Sequence, residues 1–225
     1  MREYITKTNF DYLIKPTRPE DFYTLGFLWA DGYLYNKNGK TRVSIDIQES
    51  DAEVLKDLFL SCGTWYVNTQ YRINKKPLVT FGTTNKFLLK YLTDYDYDKK
   101  SFISPDKILY SIPTQYHHYW FMGYFDGDGC FYHHKKRWLF QTSICSTYDQ
   151  DWSAIERIYK KLNINYVIKR RIQHEKSRHS VIRTSGRDSY FKIGQYIYQD
   201  RMIGLPRTFE KWKLVLSKIK ENTKL

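Results

Sequence analysis

The chain has 225 residues, 41% of them hydrophobic and 18% aromatic, enough for one large core or two small packed lobes. A formal net charge of +13 points to a polyanionic partner, nucleic acid first. Three cysteines without a CxxC pair argue against a disulfide framework or a zinc knuckle, and no apolar run approaches the ~20 residues that span a bilayer.

The first twenty residues lack the apolar core of a signal peptide, so a soluble cytoplasmic protein with no membrane partner is expected. The charge is uneven. Residues 1–110 carry 16 Lys/Arg against 14 Asp/Glu, whereas residues 111–225 carry 21 against 10.

In chain order, "TRPEDFYTLGFLWADG" reads as a helix. Thr17 and Glu20 form a capping box, Pro19 suits the first turn, and the helix should stop at Asp31-Gly32. "YLYNKNGKTRVSIDIQ" is a hairpin about Asn38-Gly39. "SDAEVLKDLFLSCG" is a second helix with a Ser50/Glu53 box. A second hairpin, "TWYVNTQYRINKKPLVTFG", turns near Lys75-Lys76; a short helix, "TNKFLLKYLTDYD", precedes a linker through "KKSFISPDKILYSIP".

The order then recurs. "TQYHHYWFMGYFDGDG" is a helix and "CFYHHKKRWLFQTSICS" a hairpin turning at His134–Lys136. "TYDQDWSAIERIYKKLNI" is a helix with a Thr147/Gln150 cap, and "NYVIKRRIQHEKSRHSVIRTSG" a hairpin. "RDSYFKIGQYIYQD" and "RTFEKWKLVLSKIK" close the chain as helices. The chain is therefore an internal duplication, residues 1–110 and 111–225, with Asp31 and Asp128 97 residues apart.

Each copy carries small residues four apart, Gly26/Ala30 and Gly123/Gly127. On a helix these share a face and admit another backbone at close range. Two helices packed through those faces would bring Asp31 and Asp128 side by side at two helix C-termini. That arrangement is repulsive, because each C-terminus already carries roughly half a negative charge. A divalent cation removes the conflict: two carboxylates and terminal carbonyls suit Mg²⁺, an ion used in phosphodiester hydrolysis. The alternatives fit poorly. The "DGDG" register is not that of an EF-hand, and the adjacent pairs His117-His118 and His133-His134 have no partners at zinc-finger spacing.

The duplicated motif resembles that of LAGLIDADG homing endonucleases in their single-chain, two-repeat form, over nearly the whole chain. Gly123, Asp126, Gly127, Asp128 and Gly129 lie close to the family pattern; the first copy keeps Gly26, Ala30, Asp31 and Gly32 but has Trp29 where an acid is common. The resemblance implies an α+β fold of two pseudo-symmetric αββαββα repeats. Each would carry a four-stranded antiparallel sheet, the two forming a saddle on the DNA major groove. It also implies a monomer that cuts both strands across the minor groove, leaving short 3′ overhangs.

By the same resemblance Asp31 and Asp128 bind the metal, Mg²⁺ or Mn²⁺ in its place, with the carbonyls of Ala30 and Gly127. Gln48, Lys100 and Arg207 fall at supporting positions of the active sites. The second repeat has Cys145 or Ser146 where Gln48 stands in the first.

The hairpins supply candidate DNA contacts. Alternation from Asp31 puts Tyr33, Tyr35, Lys37, Arg42, Ser44 and Asp46 on one face, and Tyr132, His134, Gln141 and Ser143 match them in the second repeat. Arg72, Asn74, Arg170, Gln173, Arg178 and Arg183 lie on the outer hairpins. The leading reading is a site-specific, metal-dependent DNA endonuclease from a mobile intron or intein. The alternatives are an intron RNA maturase or a non-cleaving DNA-binding protein on the same scaffold.

Overall fold

The computed structural model describes residues 3–4, 11–37, 39–134, 139–172, 178–200 and 202–222. The elements in order are β1 (Glu3–Tyr4), α1 (Asp11–Ile14), α2 (Pro19–Asp31), β2 (Gly32–Lys37), β3 (Lys40–Gln48), α3 (Glu49–Cys62), β4 (Tyr66–Arg72), β5 (Lys75–Thr83) and α4 (Lys86–Asp94). They continue with α5 (Asp106–Ser111), α6 (His117–Asp128), β6 (Gly129–His134), β7 (Leu139–Ser146), α7 (Ser153–Lys161), β8 (Tyr166–Ile172), β9 (Arg178–Ser185), α8 (Arg187–Ile197) and α9 (Pro206–Asn222). The expected turn residue Asn38 and residues 135–138 lie outside the described residues.

Two compact units divide the chain differently from the sequence repeats. The first holds 1–98, 112–127 and 203–205; the second holds 99–111, 128–202 and 206–225. The motif helix of the second repeat thus packs in the first unit, up to Gly127.

In the first unit the sheet runs β1-β4-β5-β3-β2, the two expected hairpins plus a two-residue edge strand. All its pairings are antiparallel. One face is apolar: Val43, Ile45, Ile47, Val79 and Phe81 are buried. Phe59 of α3 stacks on Phe81 at 5.1 Å and meets Trp65 edge-on at 5.4 Å. Helices α2 and α6 are buried almost all round, Asp21–Ala30 and His118–Asp126, so neither shows a clear polar stripe.

The ends of α2 differ from the sequence reading. Its N-cap is Arg18, and the Asp21 carboxylate, not Glu20, accepts from the amides of Thr17 (3.2 Å) and Arg18 (2.9 Å) while pairing with the Arg18 guanidinium. Helix α3 starts one residue before Ser50, with Gln48 as N-cap. In α4 the Asn85 side chain caps both Phe87 and Leu88 at 3.0 Å. The β4–β5 turn falls on Ile73-Asn74 rather than Lys75-Lys76, because Asn74 adopts φ 57°.

The second unit has a four-stranded antiparallel sheet, β6-β7-β9-β8, covered by helices on its apolar face. Its core includes Phe131, Phe140, Ile144, Trp152, Ile182, Tyr190 and Ile193. Helix α7 is capped at Trp152, not by Thr147 and Gln150. The Gln150 amide is turned inward instead and donates to the carbonyls of Lys100 (3.1 Å) and Ile103 (2.7 Å). With Asp151 N to Phe102 O and Ala154 N to Ser104 Oγ, both 2.9 Å, this fastens the expected linker to the second unit. The linker also forms α5, anchored by buried Ile108 and Leu109.

Candidate active site and polar sheet faces

Within the first unit α2 and α6 touch backbone to backbone. A Cβ added at Gly26 would strike the Trp120 carbonyl, and one added at Gly123 would strike that of Tyr23. Only glycine permits this approach. At Gly127 an added Cβ would lie 2.5 Å from the Ala30 Cβ and 3.2 Å from Asp31 Oδ2. The small-residue faces therefore meet as their spacing implies, and the Asp31 carboxylate stands against the backbone of Gly127. Asp128, the last residue of α6, follows directly.

The end of α2 is closed by Tyr97, whose hydroxyl donates to the Leu28 carbonyl at 2.8 Å. The Gly32 amide donates to the same oxygen. Trp29, the residue standing in place of an acid, is buried and meets Tyr97 edge-on at 5.0 Å. Burial, and secondarily the negative charge of Asp31, pushes the Tyr97 phenol well above its ordinary range. Asp31 itself is exposed.

Asp126 is different. It is 1% exposed, and its Oδ2 accepts from Tyr23 Oη (2.8 Å) and from the Leu205 amide (3.0 Å). It ties α6 to α2 and to the segment before α9, a packing role.

Gln48 is exposed at the exit of β3. The pair Gly32↔Ile45 puts that exit at the same end of the sheet as Asp31. In the second unit the pair Gly129↔Ile144 puts Cys145 beside Asp128, whose charge adds to burial in raising the Cys145 thiol. Counting on from Ile45 and Ile144, the residue equivalent to Gln48 is Thr147, which sequence alignment misses because the β6–β7 connection is two residues longer. Lys100 lies in the segment fastened by Gln150, and Arg207 is exposed near the start of α9. Among the described residues no three His, Cys, Asp or Glu side chains cluster as metal ligands.

The polar face of the first sheet follows its register: Tyr33↔Ser44, Tyr35↔Arg42 and Lys37↔Lys40 on β2–β3, then Ser44↔Gly82 and Asp46↔Thr80 on β5. Asp46 accepts from Tyr33 Oη (2.9 Å) and from Thr80 Oγ1. Ser44 is fully buried. The Arg42 guanidinium lies 4.4 Å from the Tyr35 ring and 5.9 Å from that of Tyr66. Arg72 is exposed and donates to the Lys76 carbonyl at 3.1 Å, beside the turn residue Asn74.

On the second sheet Tyr132↔Gln141, Ser143↔Arg183 and Val167↔Arg183 share the polar face, with His134 opposite Leu139. Arg170 lies on the other face: it pairs with Ser180, which Trp152 Nε1 reaches at 3.1 Å, and is ion-paired to Asp149 at 2.6 Å. Lys169 and Arg171 hold the polar side instead. Arg178 pairs with Ile172 at the end of the hairpin next to the β8–β9 connection, and Gln173 lies outside the described residues. No Asp or Glu occurs in β6, β7, β8 or β9.

No protein-family model and no curated protein matches the sequence. Solved structures do match in fold. The LAGLIDADG meganuclease I-AabMI, solved bound to uncleaved DNA, superposes with a TM-score of 0.58 at 13% identity, covering 92% of this chain and 93% of that one. The LAGLIDADG homing endonuclease I-GzeII, in complex with its DNA target, gives 0.56 at 11% identity, with 92% of each chain covered. I-DmoI in complex with DNA and Ca gives 0.54 at 15%, covering 81% of this chain and 90% of that one. The chain has the LAGLIDADG homing-endonuclease fold.

Proposed function

We propose that this protein is a site-specific double-strand DNA endonuclease that hydrolyses phosphodiester bonds with Mg²⁺, Mn²⁺ serving as a substitute. The observation that carries the reading is the glycine-mediated packing of α2 on α6. It seats Gly127 against Asp31 and makes Asp128 the next residue of the chain. A packing role alone would not require an exposed carboxylate at the end of a buried helix, where the helix dipole opposes it.

The residues fit a divalent ion. Asp31 and Asp128 provide hard oxygen donors, joined by the carbonyls of Ala30 and Gly127, and the missing Gly127 side chain leaves room at Asp31 Oδ2. When bound, the ion supplies an acidified water and relieves charge on the leaving oxygen. Gln48 and Lys100 position that water and its protons. Arg207 contributes only positive charge, since a guanidinium does not act as a base near neutral pH.

Duplex DNA is the partner, met by the polar sheet faces. The second sheet presents Lys169, Arg171 and Arg183 from strands without a carboxylate, and Asp46, the one acid on the polar face of the first sheet among the described residues, is occupied by Tyr33 and Thr80. Structures of the same fold solved on DNA with Ca, or with Mn or Mg present, support both partner and ion. The protein acts as a monomer of two repeats, 1–110 and 111–225.

The test is a plasmid library carrying a randomised duplex segment. Wild-type protein should linearise a defined subset in Mg²⁺ and none in EDTA. Selective binding without cutting in either Mg²⁺ or Mn²⁺ would instead favour a non-cleaving regulator or a maturase of its host intron.

A further inference from the structure

The first sheet carries a side-chain device that its counterpart lacks. Tyr66 on β4 pairs with Gly82 on β5, and Gly82 pairs with Ser44 on β3. A Cβ added at Gly82 would run into the ring and hydroxyl of Tyr66, so the tyrosine lies across the glycine toward β3. Ser44 is fully buried in consequence and offers nothing to a ligand. Beyond it the Tyr66 ring meets one side of Arg42, while Tyr35, directly paired with Arg42, supplies the closer ring at 4.4 Å.

Among the described residues Arg42 Nε is closed off from solvent with no hydrogen-bond partner, and no carboxylate of theirs forms an ion pair with Arg42. The Tyr66 hydroxyl is likewise enclosed without a partner among the described residues. Unsatisfied buried donors are uncommon, and their usual explanation is a missing ligand or water. The Tyr35 ring, 4.4 Å from the Arg42 guanidinium, restrains its plane on the polar face. Fixing the plane lowers the entropy lost on binding and favours a planar pair of acceptors.

We propose that Arg42 is a specificity-determining residue that reads a guanine through its O6 and N7 in the major groove, held for that purpose by Tyr35 and by Tyr66 lying across Gly82. A phosphate contact would need no such fixation, because charge alone suffices there. The inference rests on the DNA reading above. Its second-sheet counterparts by register are Gln141 for Arg42, Val167 for Tyr66 and Arg183 for Gly82, so the device belongs to one half-site only.

The experiment is selection of bound duplexes from a randomised library in Ca²⁺, so that cutting is not required, with wild type, Arg42→Lys, Arg42→Gln and Tyr66→Leu. Thermal melts would confirm that each variant is folded. The expected result is a guanine preference of about tenfold or more at one position for wild type. In Arg42→Gln it should fall to roughly twofold at that position alone, while Arg42→Lys, which still donates to O6 and N7 but without the held planar fork, and Tyr66→Leu should be intermediate. An unchanged base profile in Arg42→Gln would overturn the proposal. So would an even loss of affinity at all positions with a shallower salt dependence, the mark of a phosphate contact. A wild type that enriches no sequence at all would overturn the DNA reading as well, which separates the two failures.

Discussion

Asp126 and Asp128 stand two residues apart in "DGDG", yet their surroundings separate them. Asp126 is sealed between Tyr23 and the Leu205 amide, whereas Asp128 ends the helix half-exposed beside Cys145. Sequence reasoning could tell them apart only because the first repeat keeps Asp31 and puts Trp29 at the other position; the partner of Asp126 lies more than a hundred residues away in Tyr23. A second buried group gives a pH test. Cys62 lies near Thr24 Oγ1 (3.5 Å) and Asp21 Oδ1 (3.6 Å), and burial pushes its thiol from 9.0 to about 11. The folded state therefore keeps a proton that the unfolded chain releases above about pH 9. The resulting stability is complete below that pH and lost as pH rises toward about 11. Urea unfolding across this range should show a steeper alkaline loss for wild type than for Cys62→Ala, since the raised tyrosines are common to both; identical slopes would contradict this account.

At the scale of elements, the α2–α6 contact was legible because small residues four apart define a helix face whatever surrounds them. Its energetics follow from the same geometry. Gly123→Val would drive a branched side chain into the Tyr23 carbonyl and should destabilise the protein by roughly 3 kcal/mol or more, measured by thermal or chemical unfolding. A change within about 0.5 kcal/mol would mean that the helices are not locked through this glycine. The caps were less legible. Thr17/Glu20, Ser50/Glu53 and Thr147/Gln150 all satisfy the capping pattern, but competing partners decide: the Arg18 guanidinium draws in Asp21, and the carbonyls of Lys100 and Ile103 claim Gln150. Strand parity has a similar limit. Arg170 and Arg171 are neighbours in sequence on opposite faces, and only the register from Ser143 through Arg183 and Val167 decides which faces the helices.

For the whole molecule, the duplication was visible in the order of elements, while the division into compact units was not. The second motif helix packs in the first unit and the linker in the second, through hydrogen bonds and glycine contacts that join residues far apart in sequence. Part of the charge excess of residues 111–225 lies on strands without Asp or Glu, at Lys169, Arg170, Arg171, Arg178 and Arg183. The two polar faces also differ in kind, aromatic and guanidinium-clamping in one, openly basic in the other. Two halves built so differently would read unlike half-sites. The proposed function turns most on Asp31 and Asp128, the residues assigned to the metal. A plasmid bearing a site selected by wild type should be bound in Ca²⁺ by Asp31→Asn and Asp128→Asn, and linearised by neither in Mg²⁺. Linearisation by Asp128→Asn at the wild-type rate would contradict the assignment of that residue to the metal.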